Sequence, residues 1–191
     1  MEIDDTLAQL ATRLDQWFDG SKAPFASGDH TSQRKAILRG VAIIKDLDQL
    51  KADGVATIRS LLARQNAIPL EERPALLTRT FEFAARLKAA LKDELLDIDG
   101  ANAIVLRMND IANALDATST GRAALATLLD HPDERVRASA GAYLLIVNLM
   151  PERVVPVLRE IDERSEGRSA HFTAHWALLD WELKQKALKE K

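Results

Sequence analysis

The sequence predicts an all-α protein, an α-α superhelix in which about eight helices stack as helical hairpins. Of its 191 residues, 47% are hydrophobic and only 5% aromatic, with 8 glycines and 6 prolines, a composition that favours helix over strand. Within residues 131–150, Asp133 is placed to cap a helix. Apolar residues then recur at the spacing of a buried helical face: Val136, Ala140, Tyr143, Leu144 and Val147. Such a unit cannot bury its apolar face alone, so neighbouring units must pack on both sides.

Helices are predicted in the first half wherever apolar residues follow the helical spacing. Residues 4–18 form the first, and a loop around Pro24 leads to a second. Gly54 predicts a break before a short helix, and Pro74 suits the first turn of a helix over about 74–96. The residues expected to face inward are, for these four helices in turn, Leu7, Leu10, Ala11, Leu14, Trp17 and Phe18; Ile37, Val41, Ile44 and Leu47; Val55, Ile58, Leu61 and Leu62; and Leu76, Leu77, Phe81, Ala84, Leu87 and Leu91.

The second half is predicted to repeat this layout. A shift of 67 positions aligns residues 35–62 with 102–129 and gives seven identities in 28 positions, which either a duplication or chance between two Ala/Leu-rich helices explains. The chain is therefore divided into an N-terminal helical half, 1–98, and a second helical domain, 99–191, expected to form one continuous solenoid. The remaining helices are predicted at about 151–164 and at about 168–188, the latter carrying Phe172, Trp176, Leu179 and Leu183.

Charge and composition argue against several classes of protein. The net charge of −3 and the pI near 5.8 lack the basic footprint of nucleic-acid binding, so no nucleic-acid partner is expected. The absence of cysteine excludes disulfides and thiolate metal sites. No apolar run approaches the ~20 residues needed to span a bilayer, so no membrane association is expected. Acidic residues at the start, where a signal peptide needs basic ones, predict a cytoplasmic protein.

Three motifs in the second half resemble those of a known family. They are the block LLDHPDERVRASAGAYLL, the helix MPERVVPVLREI that follows it, and the closing AHFTAHWALLDWE with Trp181 near its end. The segment from about Ala101 to Glu182 thereby resembles a bacterial helical family catalogued as domain of unknown function 2019. The resemblance implies a short HEAT-like or armadillo-like superhelix. Members often occur near secreted toxin genes, which implies an immunity or regulatory role.

Two histidines form the only metal-site hypothesis that the sequence suggests. His171 and His175 stand four residues apart on a predicted helix, a spacing at which two imidazoles can share a zinc ion. A third ligand would be needed, and Glu182 lies too far along the helix axis. The structural alternative places one histidine in a packed interface beside Trp176 and the other in solvent. His131 is expected to act in a turn, and no cofactor or metal is assigned.

The charged turn of Asp133, Arg135 and Arg137 also has two interpretations. In stacked repeats such an aspartate accepts hydrogen bonds from helix amides, and an arginine can bridge to the neighbouring unit. The alternative is direct contact of either arginine with a partner.

Acidic residues cluster between residues 92 and 99, at the predicted end of a helix, where the helix macrodipole disfavours negative charge. A surface that keeps acids there suits a basic protein partner, whereas the alternative is a solvated linker between two half-solenoids. The candidate partner-binding residues are Asp93, Glu94, Asp97 and Asp99, with Asp46 and Asp48 as weaker candidates.

Catalytic signatures are absent from the sequence. It contains no Gly-rich phosphate loop, no GxSxG or HExxH motif, no EF-hand spacing and no cysteine nucleophile, so no catalytic residue is assigned and no enzyme is expected. The expected function is that of a protein-binding helical-repeat module, a bacterial immunity protein that occludes the active site of a cognate toxin. Two alternatives stay open: a scaffold or adaptor in a regulatory complex, and a metal-dependent enzyme built around His171 and His175.

Overall fold

The described parts of the chain are almost entirely helical. The computed structural model describes residues 2–21, 30–164 and 168–190, and within these ranges it contains eight α-helices, two short 3-10 turns and no β-strand. The predicted all-α class with eight helices is therefore confirmed. The chain divides into two compact units, Met1–Gln65 and Asn66–Lys191. The predicted loop around Pro24 and the side chain of Ile37 lie outside the described part of the structure.

The first unit is a pair of packed helices, α1 (Glu2–Ser21) and α2 (His30–Arg64). An arginine on α1 joins the two, since the Arg13 guanidinium lies 3.3 Å from an Asp46 carboxylate oxygen and 3.0 Å from one of Asp53. These two aspartates are two turns apart on α2, so the ion pairs define how the helices align. Of the residues of α1 predicted to face inward, Leu7, Leu10, Leu14 and Trp17 are buried, whereas Ala11 and Phe18 are partly exposed.

Two predictions for α2 are wrong. The break expected at Gly54 is absent because α2 is one continuous helix, and Gly54 belongs to a single buried stripe that a break would divide. Val41 and Ile44, expected to face inward, are 44% and 47% exposed. At 3.6 residues per turn, Val41 and Ile44 are rotated away from the side of α2 that packs on α1. The buried stripe of α2 contains Leu47, Leu50, Gly54, Ile58 and Leu61.

The second unit is built around one central helix, α3. Its helices are α3 (Arg73–Glu94), α4 (Ile98–Asp116), α5 (Ser119–Thr127), α6 (Glu134–Ile146), α7 (Pro151–Arg164) and α8 (Ser169–Lys189). α3 packs on α4, α5, α6 and α8, and the last three helices pack on one another. The predicted boundary between residues 98 and 99 falls inside this unit, because α3 lies along α4. No helix in the described residues combines the length and apolarity needed to cross a membrane.

The turn before α6 is held as the sequence predicts. Asp133 caps α6 by accepting a hydrogen bond from the Arg135 backbone N–H at 2.9 Å, and its own N–H donates to Nδ1 of His131 at 3.0 Å. The arginine that bridges to a neighbouring helix is Arg86 of α3, 3.4 Å from the Asp133 carboxylate. Burial raises the pKa of Asp133, but hydrogen bonds and charge from Arg135, with the charge of Arg86, hold it below its usual value. Val147, expected to be buried, ends α6 and is 38% exposed.

Gly121 lies where the chain turns from α4 into α5. A Cβ added there would lie 2.1 Å from the carbonyl oxygen of Leu115, so the close approach of two backbone segments requires glycine. Gly54, with which it aligns at the 67-residue offset, lies inside a continuous helix. The two aligned glycines therefore have different structural environments.

Gly121→Ala is expected to lower the free energy of unfolding by about 3 kcal/mol, because relieving the backbone contact must displace α5. Gly141→Ala on α6 is the matched control. Its Cβ would lie 2.8 Å from Cδ2 of Leu158, a flexible side chain that can rotate, so a loss of about 1 kcal/mol is expected. Urea denaturation followed by circular dichroism measures both losses. Equal losses would contradict the backbone explanation.

Candidate protein-binding surface

Helix α8 has apolar side chains on two opposite sides. The side that packs on α6 and α7 has Ala170, Ala174 and Leu178 buried, with small residues in its first turns and the indole N–H of Trp181 buried further along. The large residues of the predicted apolar stripe point to solvent instead, which corrects their expected role in the core. They are Phe172, Trp176, Leu179 and Leu183, exposed at 41%, 63%, 38% and 60%, and we call these four the α8 stripe.

Small residues face inward because they allow helices to approach closely. Ala174 is completely buried, and Gly141 of α6 lies so close to Leu158 of α7 that an added Cβ would displace that side chain, so the three last helices pack with little space between them. The i, i+4, i+8 spacing of Ala170, Ala174 and Leu178 was visible in the sequence. Periodicity identifies both stripes but does not decide which one is buried.

An aligned row of exposed apolar side chains distinguishes the α8 stripe from ordinary surface. Single exposed apolar residues are normal in soluble proteins, whereas contiguous patches mark interaction sites. Trp176, the most exposed member of the stripe, is also of the residue type most enriched among binding hot spots. The stripe is therefore the candidate functional site of the second unit.

A buried lysine on α3 fixes the position of α8. The ammonium of Lys88 donates hydrogen bonds to Ser139 Oγ on α6 at 2.9 Å and to Thr173 Oγ1 on α8 at 3.2 Å, so it joins three helices. Both partners are neutral hydroxyls. The pKa of Lys88 is lowered to about 8, mainly by burial and also by the charge of Lys92, while the charge of Asp93 opposes the shift.

The end of α3 also holds the first turn of α8. The Asp93 carboxylate accepts a hydrogen bond from the Ser169 backbone N–H at 2.9 Å, a capping role that the side chain of Arg168, the residue before α8, does not perform. Burial raises the pKa of Asp93, and the Ser169 N–H opposes that rise. The ammonium of Lys92 lies 4.8 Å from the centre of the Phe172 ring, a cation–π contact. These contacts hold the start of α8 against the end of α3, in an orientation that leaves the α8 stripe facing solvent.

The two histidines of α8 meet an aspartate of α7. The Nδ1 atoms of His171 and His175 lie 3.1 Å and 3.2 Å from the same carboxylate oxygen of Asp162, and the two rings stack 5.8 Å apart. Among the described residues, no three His, Cys, Asp or Glu side chains are arranged to hold a metal ion. The exposed His175 contacts Trp176 edge to face. His171 is partly buried against α7 and His175 is about half exposed, as the structural alternative expected, but Trp176 beside them is exposed and the two histidines border the α8 stripe.

The acidic cluster is mostly placed where helix dipoles favour it, contrary to the prediction. Asp97 is the N-cap of α4 and accepts a hydrogen bond from the Gly100 N–H at 2.8 Å. Asp99 lies in the first turn of α4, and Asp93 caps α8. The helix dipole favours negative charge at Asp97 and Asp99, which begin α4. Asp93 lies in the last turn of α3 with its carboxylate at the N-terminus of α8, and burial still raises its pKa. Glu94 ends α3 and is exposed, as the prediction required.

The two weaker acidic candidates belong to the first unit. Asp46 is paired with Arg13, and Asp48 lies 3.3 Å from the ammonium of Lys51 one turn along α2. Both side chains are about half exposed, at 50% and 55%. Pairing with residues of the same unit gives each a structural role in addition to any role in binding.

Comparisons of the chain with protein-family models, with curated proteins and with solved structures found no match. The resemblance of residues 101–182 to a bacterial family therefore stays a prediction, and the candidate site is supported by the geometry of the structure alone.

Lys88 is expected to make stability depend on pH between about 8 and 10.5. The folded protein binds this proton less tightly than the unfolded chain, so the free energy of unfolding should rise with pH across that window, by about 3 kcal/mol in total. Lys88→Met fills the same space without a charge and should be more stable than the parent at pH 7, with the difference vanishing near pH 10.5. Urea denaturation of both proteins across this range provides the measurement. A constant difference would exclude a titrating lysine as the cause.

Asp97→Ala is expected to lower the free energy of unfolding by about 1 kcal/mol, the usual effect of losing a helix N-cap. Asp97→Asn keeps an oxygen that can accept from the Gly100 N–H and should lose little, since asparagine caps nearly as well as aspartate. Thermal denaturation of the two variants compares them directly. If asparagine were as damaging as alanine, charge and not capping would explain the role of Asp97.

Proposed function

We propose that this chain is a protein-binding helical module that docks a partner on the α8 stripe. The observation that carries the proposal is the exposure of Phe172, Trp176, Leu179 and Leu183 on one side of a helix whose other side is buried. The buried lysine and the capping contacts of α3 hold that helix in place. A rigid helix that presents aromatic and aliphatic anchors binds with little loss of conformational entropy.

The spacing of the stripe supports an α-helix as the partner element. Its members are separated by four, three and four residues, which is the spacing of apolar residues along a helix–helix seam. A helix laid along the stripe would contact all four side chains over three turns. Partners with a flat or extended surface would contact fewer of them.

A cognate bacterial toxin and a component of a regulatory complex are both compatible with this proposal, and they differ only in the partner. The family resemblance of residues 101–182 supports the toxin, in which case the chain would be an immunity protein that occludes the toxin's active site. The exposed acids Glu94 and Asp99 would suit a basic partner of either kind. Occlusion needs no catalytic residue in this chain.

Trp176→Glu is expected to reduce retention of the partner at least about tenfold, because it places a charge at the centre of the apolar surface. Leu106→Glu is the matched control, since Leu106 of α4 is 59% exposed and lies outside the stripe. The tagged chain is co-expressed with the products of neighbouring genes, and co-purification is quantified for the parent and both variants. Retention of the same partner by all three proteins would refute docking on α8.

A further inference from the structure

We propose that a second copy of this chain covers the α8 stripe, in an antiparallel pair of α8 helices. The inference rests on the proposed function, because it takes the same stripe as the interface and names its occupant. The supporting observations are the register that the stripe allows and the distribution of charge along α8.

One antiparallel register buries the whole stripe in both copies. Placing the two-fold axis between Ala177 and Leu178 sets Trp176 against Leu179 of the second copy, and Phe172 against Leu183 of the second copy. Each of these contacts occurs twice because the pair is symmetric. The four-three-four spacing then lets side chains of one helix fit between those of the other. The aromatic side chains face aliphatic ones, so large rings do not oppose each other.

The two ends of α8 carry opposite charge. At its first turn lies the Asp93 carboxylate, which accepts a hydrogen bond from the Ser169 backbone N–H. Glu94, Asp97 and Asp99 follow Asp93 within six residues, and Lys92 and Arg168 offset these charges only in part. The last turns, residues 184–189, contain three lysines and no acid, and Lys184 among them is paired with Asp180. The acids are Asp93, Glu94, Asp97 and Asp99, and the lysines are Lys184, Lys186 and Lys189.

These opposite charges cannot meet within one copy. Ser169 and Lys186 are separated by 17 residues of one continuous helix, which at 1.5 Å per residue is about 25 Å. That exceeds the Debye length of about 8 Å at physiological ionic strength. In an antiparallel pair the lysines of each copy approach the acids of the other, twice. The acids at the start of α8 and the lysines at its end thus become complementary charges across the interface between the two copies.

The flank of the stripe is complementary in the same register. His175 and Glu182 project from one side of α8, and the two-fold operation brings His175 of each copy beside Glu182 of the other. In the single chain these side chains contact α7, through Asp162 and Arg159. Both are half exposed, at 49% and 52%, so a second copy can reach them.

Introduced cysteines test the register, since the chain contains no cysteine of its own. A mixture of His175→Cys and Glu182→Cys proteins should form a disulfide-linked dimer under mild oxidation. Either variant alone should cross-link less, because the two copies of residue 175 would be offset by five residues along the seam and the two copies of residue 182 by nine, roughly 7.5 and 13.5 Å at 1.5 Å per residue. A parallel pair would place the two copies of either cysteine on opposite flanks of the seam, so neither the mixture nor either variant alone should cross-link. Equal, weak cross-linking in all three samples would overturn the proposal.

Oligomeric state tests the interface and its charges without oxidation. Sedimentation equilibrium of the purified chain should show a dimer whose dissociation constant rises at least about tenfold in Trp176→Glu and changes little in Leu106→Glu. Lys186→Glu with Lys189→Glu should weaken the dimer several-fold at low salt, and adding Glu94→Lys should restore part of it. Glu94 is the exposed acid suited to this reversal because Asp93 and Asp97 cap helices.

The outcomes separate this inference from the proposed function. A chain that stays monomeric at high micromolar concentration but retains a neighbouring gene product through Trp176 would overturn self-association and keep protein binding on α8. A dimer unaffected by Trp176→Glu would place the self-association elsewhere and would also overturn the antiparallel pair. A dimer sensitive to Trp176→Glu, with the predicted cross-link, supports the second copy as occupant.

Discussion

The position of α8 in the second unit depends on a lysine side chain that is buried among three helices. Lys88 joins α3 to α6 and α8 through two neutral hydroxyls, and it does so without a carboxylate bonded to its ammonium. Removing an ammonium from water is unfavourable, which is why burial lowers its pKa. Lys88 stays buried despite this cost because the same three helices bury a large apolar surface around it. The direction in which α8 presents its outer side follows from this junction.

The choice of which side of α8 faces inward has a packing reason. Alanines on the inner side allow α8 to lie close to α6 and α7, and close packing maximises contacts between many atoms. An inward Trp176 or Phe172 would hold the helices apart and leave voids. The large apolar residues of the α8 stripe therefore lie on the outer side of the helix, where they form a continuous row. The proposed protein-binding function of this unit is based on that row.

Several aspartates of the second unit interact with the backbone N–H groups at the start of a helix. Asp93, Asp97 and Asp133 each accept a hydrogen bond from a backbone N–H at the start of a helix. Each satisfies a donor that the helix itself cannot. Asp97, which looked costly in the sequence, therefore lies where a helix N-terminus favours its charge, whereas burial offsets that benefit at Asp93. The cluster can still attract a basic surface, since capping uses only part of each carboxylate's capacity to accept hydrogen bonds.

The sequence by itself determined the features that depend on local spacing and capping. It predicted the all-α class, the eight helices, the cap at Asp133, the turn role of His131 and the helix over residues 151–164, because these depend on neighbours within a few positions. Tertiary structure decided the rest. Whether Gly54 breaks a helix, whether Asp97 ends one helix or starts the next, and which stripe of α8 is buried depend on what packs against each segment. A one-dimensional pattern contains the period of a helix but not the identity of its neighbours, so the exposed stripe became visible only with α3, α6 and α7 in place.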